Sequence, residues 1–347
     1  MSERNAVDAI RGAEPPEKYA VLLNARARGW TGEIHEAVQR FVPSPDLFLT
    51  DDFRQAHTTV QRILDADYDV VFTGGGDGTI VYLINAIEQQ IRQGEIDRTE
   101  APPVGVLRLG TGNAIATYLG SGPIVEDLEA LHAGAPLRIR EIELIEDGEN
   151  RFPFGGFGWD ADMLNDYHRF KKKVTGTVFE HLATGLHGYA VSTAFRTAPR
   201  AILRGSTQVT LTNRGPVALE LDEHGQVIRE CGPGDVLYRG PIKITSPATI
   251  PYWGFGVRMF PYCNLRSGFF ELRYYTGTIP RVLSRLPSFW RGDMPASDLG
   301  DWLVSEVQVE IEDGEMSYQV AGDAAGYRDE VVWRLADHRV PLAVPLR

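Results

Sequence analysis

Two short apolar runs in this chain each end in a glycine cluster that opens directly into a helix, and that pairing limits the folds available to it. The first run, Asp69-Val70-Val71-Phe72, leads into Gly74-Gly75-Gly76-Asp77-Gly78-Thr79. Beyond it Ile80, Leu83, Ile84, Ile87 and Ile91 recur at the helical period. The second run, residues 104–109, follows the breaker Pro102-Pro103 and ends in Gly110-Thr111-Gly112-Asn113, again ahead of a helix. Upstream, residues 19–23 form a third apolar run that stops at Asn24. Two further helical patterns follow, one at Ile34, Ala37, Val38 and Phe41, the other at Phe53, Ala56, Val60, Ile63 and Leu64. Strands alternating with helices imply an α/β domain with a parallel, doubly wound sheet, in which ligands sit beyond the carboxyl ends of the strands.

The second half changes period. Val209 and Leu211, Ile242 and Ile244, Val307, Val309 and Ile311, and Met316, Tyr318 and Val320 alternate in twos between glycine and proline turns such as Gly232-Pro233-Gly234. That pattern predicts an antiparallel β domain. The chain's 347 residues fit two domains, here 17–142 (α/β) and 143–347 (β). Phe152, Phe154, Phe157 and Trp159 read as core of the second domain, although an acyl chain needs similar walls. Residues 279–298 have weak periodicity and read as a connection or short helices.

Charge narrows the function. The formal net charge of −12 repels phosphate backbones, which argues against nucleic acid as a partner. Cys231 and Cys263 form no disulfide framework, and the polar N-terminus is no signal peptide, so a reducing cytoplasm is the expected setting. No apolar run approaches the roughly 20 residues of a membrane span. The longest candidate, residues 182–195, contains His187, Ser192 and Thr193 and reads as a buried or surface-lying helix. Three of the five lysines cluster at Lys171-Lys172-Lys173, and residues 164–204 carry seven Arg or Lys but only Asp166 and Glu180. A solvated face explains such a run; so does a patch within 168–204 that meets an anionic membrane surface peripherally. The histidines have no metal-ligand spacing.

Glycine brings backbone amides close to a phosphate, and the helix starting near Thr79 adds the positive end of its dipole. Asp77 inside that loop would repel phosphate unless it had a task, either holding Mg²⁺ or accepting a proton from a hydroxyl. A P-loop is excluded because no lysine lies near either loop, and a dinucleotide fingerprint because Thr79 stands where its third glycine belongs.

At this point the residues resemble a family. Gly74-Gly75-Gly76-Asp77-Gly78-Thr79 is similar to the signature of the diacylglycerol kinase catalytic domain, whose superfamily includes sphingosine kinases, bacterial lipid kinases and, more distantly, NAD kinases. Leu109-Gly110-Thr111-Gly112-Asn113 resembles its second motif, and Asn24-Ala25-Arg26 its nucleotide-loop motif. Gly156 to Ala161, with Asp160, and Pro251-Tyr252-Trp253-Gly254 resemble weaker later patterns. The resemblance implies a lipid kinase with an α/β domain, a β-sandwich and a nucleotide cleft to which the C-terminal strand region returns. It implies ATP and Mg²⁺ as cofactors and diacylglycerol or a similar lipid as acceptor. Asn24, Gly74, Gly75, Gly76, Gly78, Thr79, Gly110, Thr111, Gly112 and Asn113 would line the nucleotide site. Asp77 would be the catalytic or Mg²⁺-linked acid.

Two positions depart from that pattern. Ala114 follows the second motif where the family often has aspartate. In Gln319-Val320-Ala321-Gly322-Asp323, Ala321 stands where an Asp-Gly-Glu motif has its aspartate and Asp323 where it has its glutamate, which makes Asp323 the second expected acid. An alanine neither coordinates metal nor accepts a proton. A catalytically impaired nucleotide- or lipid-binding homologue and a kinase of a soluble acceptor such as NAD therefore remain as alternatives.

Overall fold

The structure, a computed structural model, describes residues 9–25, 27, 29–50, 57–159, 161–162, 206–278, 281, 284, 288 and 298–347. The expectations for Arg26, Phe53, Ala56, Asp160, the apolar stretch 182–195 and the basic stretch 164–204 lie outside these residues, as does most of 279–298. Among the described residues no helix is long and apolar enough to cross a membrane. The chain forms two units. One comprises Ala6–Leu144, Gly254–Gly256 and Ala336–Arg347; the other comprises Ile145–Trp253 with Val257–Leu335. Compared with a division at 142/143, the units meet at 144/145, and Ala336–Arg347 return to the first.

The first unit contains β1 (Ala9–Ala13), β2 (Tyr19–Asn24), α1 (Gly32–Phe41), β3 (Leu47–Thr50), α2 (His57–Leu64), β4 (Val70–Gly75), α3 (Asp77–Gln93), β5 (Val104–Arg108), α4 (Ala114–Leu119), α5 (Ile124–His132) and β6 (Leu137–Ile142). Its seven-stranded sheet runs β1, β6, the C-terminal strand Val340–Pro345, β5, β4, β2, β3. The C-terminal strand pairs parallel with β5 and antiparallel with β6. β2 and β4 are apolar at consecutive positions because both of their faces are covered. Val21, Leu23, Val70, Phe72 and Leu107 pack with Val38 of α1 and with Ile124, Leu128 and Leu131 of α5. Alternate strand residues point to the opposite face, toward which α3 turns its buried Ile80, Leu83, Ile84 and Ile87. Gly94, at φ 73°, ends α3 by sending its amide back to the carbonyls of Gln90 and Ile91. Helices on both faces of a mostly parallel sheet are the doubly wound arrangement that the alternation predicts.

The second unit is antiparallel throughout. A six-stranded sheet has Glu306–Ile311 near its centre, and an eight-stranded sheet has Phe270–Tyr275 and Ile244–Ala248 near its own. The sheets face one another through aromatic rings. Phe157, on the eight-stranded sheet, lies 5.7 Å from Trp333 on the six-stranded one. Trp333 Nε1 donates to the Tyr318 hydroxyl at 3.0 Å, which donates to Asp147 at 2.9 Å. Phe152, Phe154 and Phe157 are buried in this core. The expected pairing of Ile242 and Ile244 on one strand is corrected. Val236–Ile242 ends in one sheet and Ile244–Ala248 begins in the other, so the chain changes sheets at Lys243, a corner of the kind that closes sandwiches.

A buried charge cluster fixes one loop of this unit. Glu271 and Arg273 share a face of Phe270–Tyr275, two residues apart, and Asp301 is the cross-strand partner of Arg273. Arg273 Nε meets Asp301 Oδ1 at 2.5 Å and its Nη1 donates to the Met259 carbonyl, while Glu271 accepts the Tyr262 amide at 2.6 Å. Burial pushes Glu271 up to about 8, opposed by Arg273 and reinforced by Asp301. The unfolded chain releases this proton near 4.5, so the linked stability is complete below that value and is lost as pH rises through about 8. Urea midpoints measured across this window should therefore decline with pH in the native chain and much less in Glu271→Gln. Equal slopes in the two proteins would show that Glu271 is not the titrating group.

Candidate functional site

The three apolar runs place their carboxyl ends side by side, since β4 lies between β2 and β5. The loops after the outer two strands close over the middle one. The Gly29 amide, in the loop after β2, donates to the Leu109 carbonyl at 3.2 Å. The Gly110 backbone packs on the loop after β4, where a Cβ at 110 would stand 2.5 Å from Gly76 Cα and 2.6 Å from the Gly75 carbonyl oxygen. Asn24 ends β2 opposite Thr50 of β3.

The glycines divide by role. Gly74 and Gly75 lie inside buried β4; side chains there would meet Leu23 and Thr79 respectively. Thr79 is itself buried and packs beneath Gly75. Gly76 differs: it is the N-cap of α3 at φ −83° and a Cβ would meet nothing within 4 Å. The first amides of a helix have no intrahelical acceptor, so the half-exposed Gly76 and Gly78 bracket the positive end of a 17-residue helix beside open space. Thr111 is exposed. Asn113 sits at φ 51° and donates to the Gly110 carbonyl at 2.7 Å, which tightens the second loop.

Asp77 ties the two glycine loops together. Its Oδ2 accepts the Ala114 amide at 3.0 Å and its Oδ1 the Ile115 amide at 2.8 Å. The carboxylate that opens α3 is thus the N-terminal cap of α4, satisfying amides that Asn113 leaves without a side-chain cap. Ala114 takes part through its backbone and is fully buried. A third segment joins this pair. Phe255, in Gly254–Gly256, donates its amide to the Gly112 carbonyl at 2.8 Å. Gly112 is held between them, since a Cβ there would lie 3.2 Å from Asp77 Oδ2 and 3.8 Å from Gly254 Cα.

Asn24 and residues 74–79 and 110–113 thus gather in the first unit, while Asp323 belongs to the second. Asp323 is exposed and opens the strand Asp323–Arg328 after a two-residue turn, Ala321 at φ 49° and Gly322 at φ 81°. Two consecutive left-handed residues make a type I′ hairpin, which favours Asn-Gly or Asp-Gly. The turn's backbone would accept an acid at 321, where Ala321 is buried. Among the described residues no group of three or more His, Cys, Asp or Glu is placed to hold a metal ion. The sequence reading missed Phe255, although a phenylalanine between two glycines was the available signal.

Residues 18–145 match the family described as the diacylglycerol kinase catalytic domain. Diacylglycerol kinase 2 of Arabidopsis thaliana is 24% identical over 196 residues, which are 50% of this chain and 26% of that protein. The chain therefore matches about a quarter of the length of that curated relative. A crystal structure of a protein provisionally assigned as a diacylglycerol kinase, from Bacillus anthracis str. Sterne, superposes with a TM-score of 0.61 at 18% identity, covering 94% of this chain and 97% of the other. A diacylglycerol kinase crystal structure from the same organism superposes with a TM-score of 0.57 at 14% identity, covering 94% and 96%. At such identities the likeness is one of fold.

The carboxylate cap makes a stability prediction. Asp77→Ala leaves two buried amides without an acceptor and should cost about 2–4 kcal/mol by urea unfolding. Asp77→Asn keeps one acceptor oxygen and should recover roughly half of that loss. Gly110→Ala drives a Cβ into backbone and should cost about 1–3 kcal/mol. If Asp77→Ala unfolded at the native midpoint, the bonds to Ala114 and Ile115 would carry no stability.

Proposed function

We propose, from the match of residues 18–145 to the diacylglycerol kinase catalytic domain family, that this chain transfers the γ-phosphoryl group of ATP to a hydroxyl of diacylglycerol or a similar lipid. The observation that carries the reading is the open start of α3. Gly76 faces space that a Cβ would enter unopposed, at the positive end of a long helix. The phosphates of ATP suit that place, and phosphoryl transfer depends mostly on positioning and on fixed donors for the charge that moves. The amides of Gly76 and Gly78 would receive the phosphates, and Asn24, Thr111, Gly112 and Asn113 would border the nucleotide.

In this reading Asp77 has two tasks. It holds the second glycine loop against the first, and it orients the acceptor hydroxyl. Asp323 is the second acid of the proposal. Mg²⁺ bound through phosphates and water would need little from the protein. Peripheral contact with an anionic membrane through 168–204 completes the reading. A second reading, binding without turnover, has one observation in its favour: Ala321 occupies a turn position whose backbone suits an aspartate.

Gly76→Ala tests the nucleotide site without disturbing the fold, since φ −83° suits alanine and the Cβ meets no neighbour. Its melting temperature should match that of the native chain while MgATP binding weakens at least about tenfold. Label transfer from MgATP to a diacylglycerol panel should fall with it. Unaltered MgATP binding in Gly76→Ala would remove the phosphates from this place. Tight MgATP binding with no labelled lipid would leave the binder.

A further inference from the structure

Gly254, Phe255 and Gly256 are three consecutive residues at positive φ, 144°, 52° and 75°. Glycine adopts such backbone freely; a phenylalanine does so only where its surroundings hold it. The Phe255 amide bond to the Gly112 carbonyl, 2.8 Å, is that restraint. The Gly254 backbone lies against Gly112, with a Cβ at 254 coming 3.7 Å from Gly112 Cα. Phe255 is nevertheless 44% exposed, and no other phenylalanine is exposed among the described residues. An aromatic residue held in a costly conformation at a glycine loop, and left with nearly half its surface exposed, serves the fold poorly and a ligand well.

We propose that Phe255 is the wall against which the apolar part of the acceptor packs beside the 110–113 loop. The choice of ligand rests on the phosphotransfer reading above. Gly112 packs against both Gly254 and Asp77 Oδ2, so Phe255 is one residue from the loop that borders the place where the acceptor hydroxyl would be oriented. The adenine ring is separated from the transferred phosphoryl group by ribose and two further phosphates and would lie elsewhere. A lipid alcohol carries its hydrocarbon within a few bonds of its hydroxyl, and an exposed ring there gives that hydrocarbon apolar surface to cover. Phe255 is therefore a specificity residue for an amphiphilic acceptor rather than for a polar one.

The experiment uses the full chain with a soluble short-chain diacylglycerol, dihexanoylglycerol, measuring its binding and that of MgATP by calorimetry, and label transfer between them. Phe255→Gly relieves the backbone and removes the wall. It should melt at or above the native temperature, bind dihexanoylglycerol at least about fivefold more weakly, and bind MgATP as before. Phe255→Leu, apolar but not aromatic, should restore most of the lipid affinity. Unchanged lipid affinity in Phe255→Gly, or a native chain that binds no lipid alcohol, overturns the proposal. A loss confined to MgATP also overturns it and assigns the ring to the base. If the native chain binds the lipid but transfers no label, the phosphotransfer reading fails, while a weakened Phe255→Gly still supports the wall.

Discussion

One carboxylate joins the two glycine loops of the first unit. Asp77 begins one helix and caps another 37 residues later through two backbone amides. Bound through a charged acceptor, the two loops form one rim, because hydrogen bonds to an ionised oxygen are among the stronger ones a protein makes. The capping needs a carboxylate, and the same carboxylate is the only charged side chain of the 74–79 loop. Shape and electrostatics at this rim are therefore not independent, and a substitution at 77 changes both.

The glycines of the two loops look equivalent in sequence but answer different constraints. At 74, 75 and 110 a side chain would strike a neighbour, so glycine is a packing requirement. At 76 nothing would be struck, and the absent side chain leaves room rather than making a fit. Composition alone does not separate these cases. Only the neighbours across the loops, supplied by different strands, distinguish a glycine that lets chains touch from one that keeps them clear of a space.

Much of the fold was legible because hydrophobic period is a local signal. The inner strands, α1, α3 and the alternating strands of the second unit follow directly from it, as at Val209 and Leu211, both fully buried. The places where it failed are those where long-range pairing decides. Ile242 and Ile244 keep a strand's period across a corner, and no local signal marks Lys243 as the turn between two sheets. The pairing of Val340–Pro345 was also hidden, because Pro341 and Pro345 argue against an inner strand, yet it lies between β5 and β6. In the candidate site, the residue types at the loops could be read from sequence, but the partners of Asp77 could not. They are backbone amides, and every residue but proline has one.

That inserted strand also sets an order of events. β5 and β6 are made early, yet the strand between them follows the whole second unit along the chain. Until it arrives, the growing chain holds two unpaired edges in what becomes the middle of its sheet, and the second unit can pair its own strands first. Domains made on a ribosome usually fold in the order they emerge. Here the nascent first unit has to wait with its centre open, exposed to chaperones and to stray strands, until the other unit has left the exit tunnel.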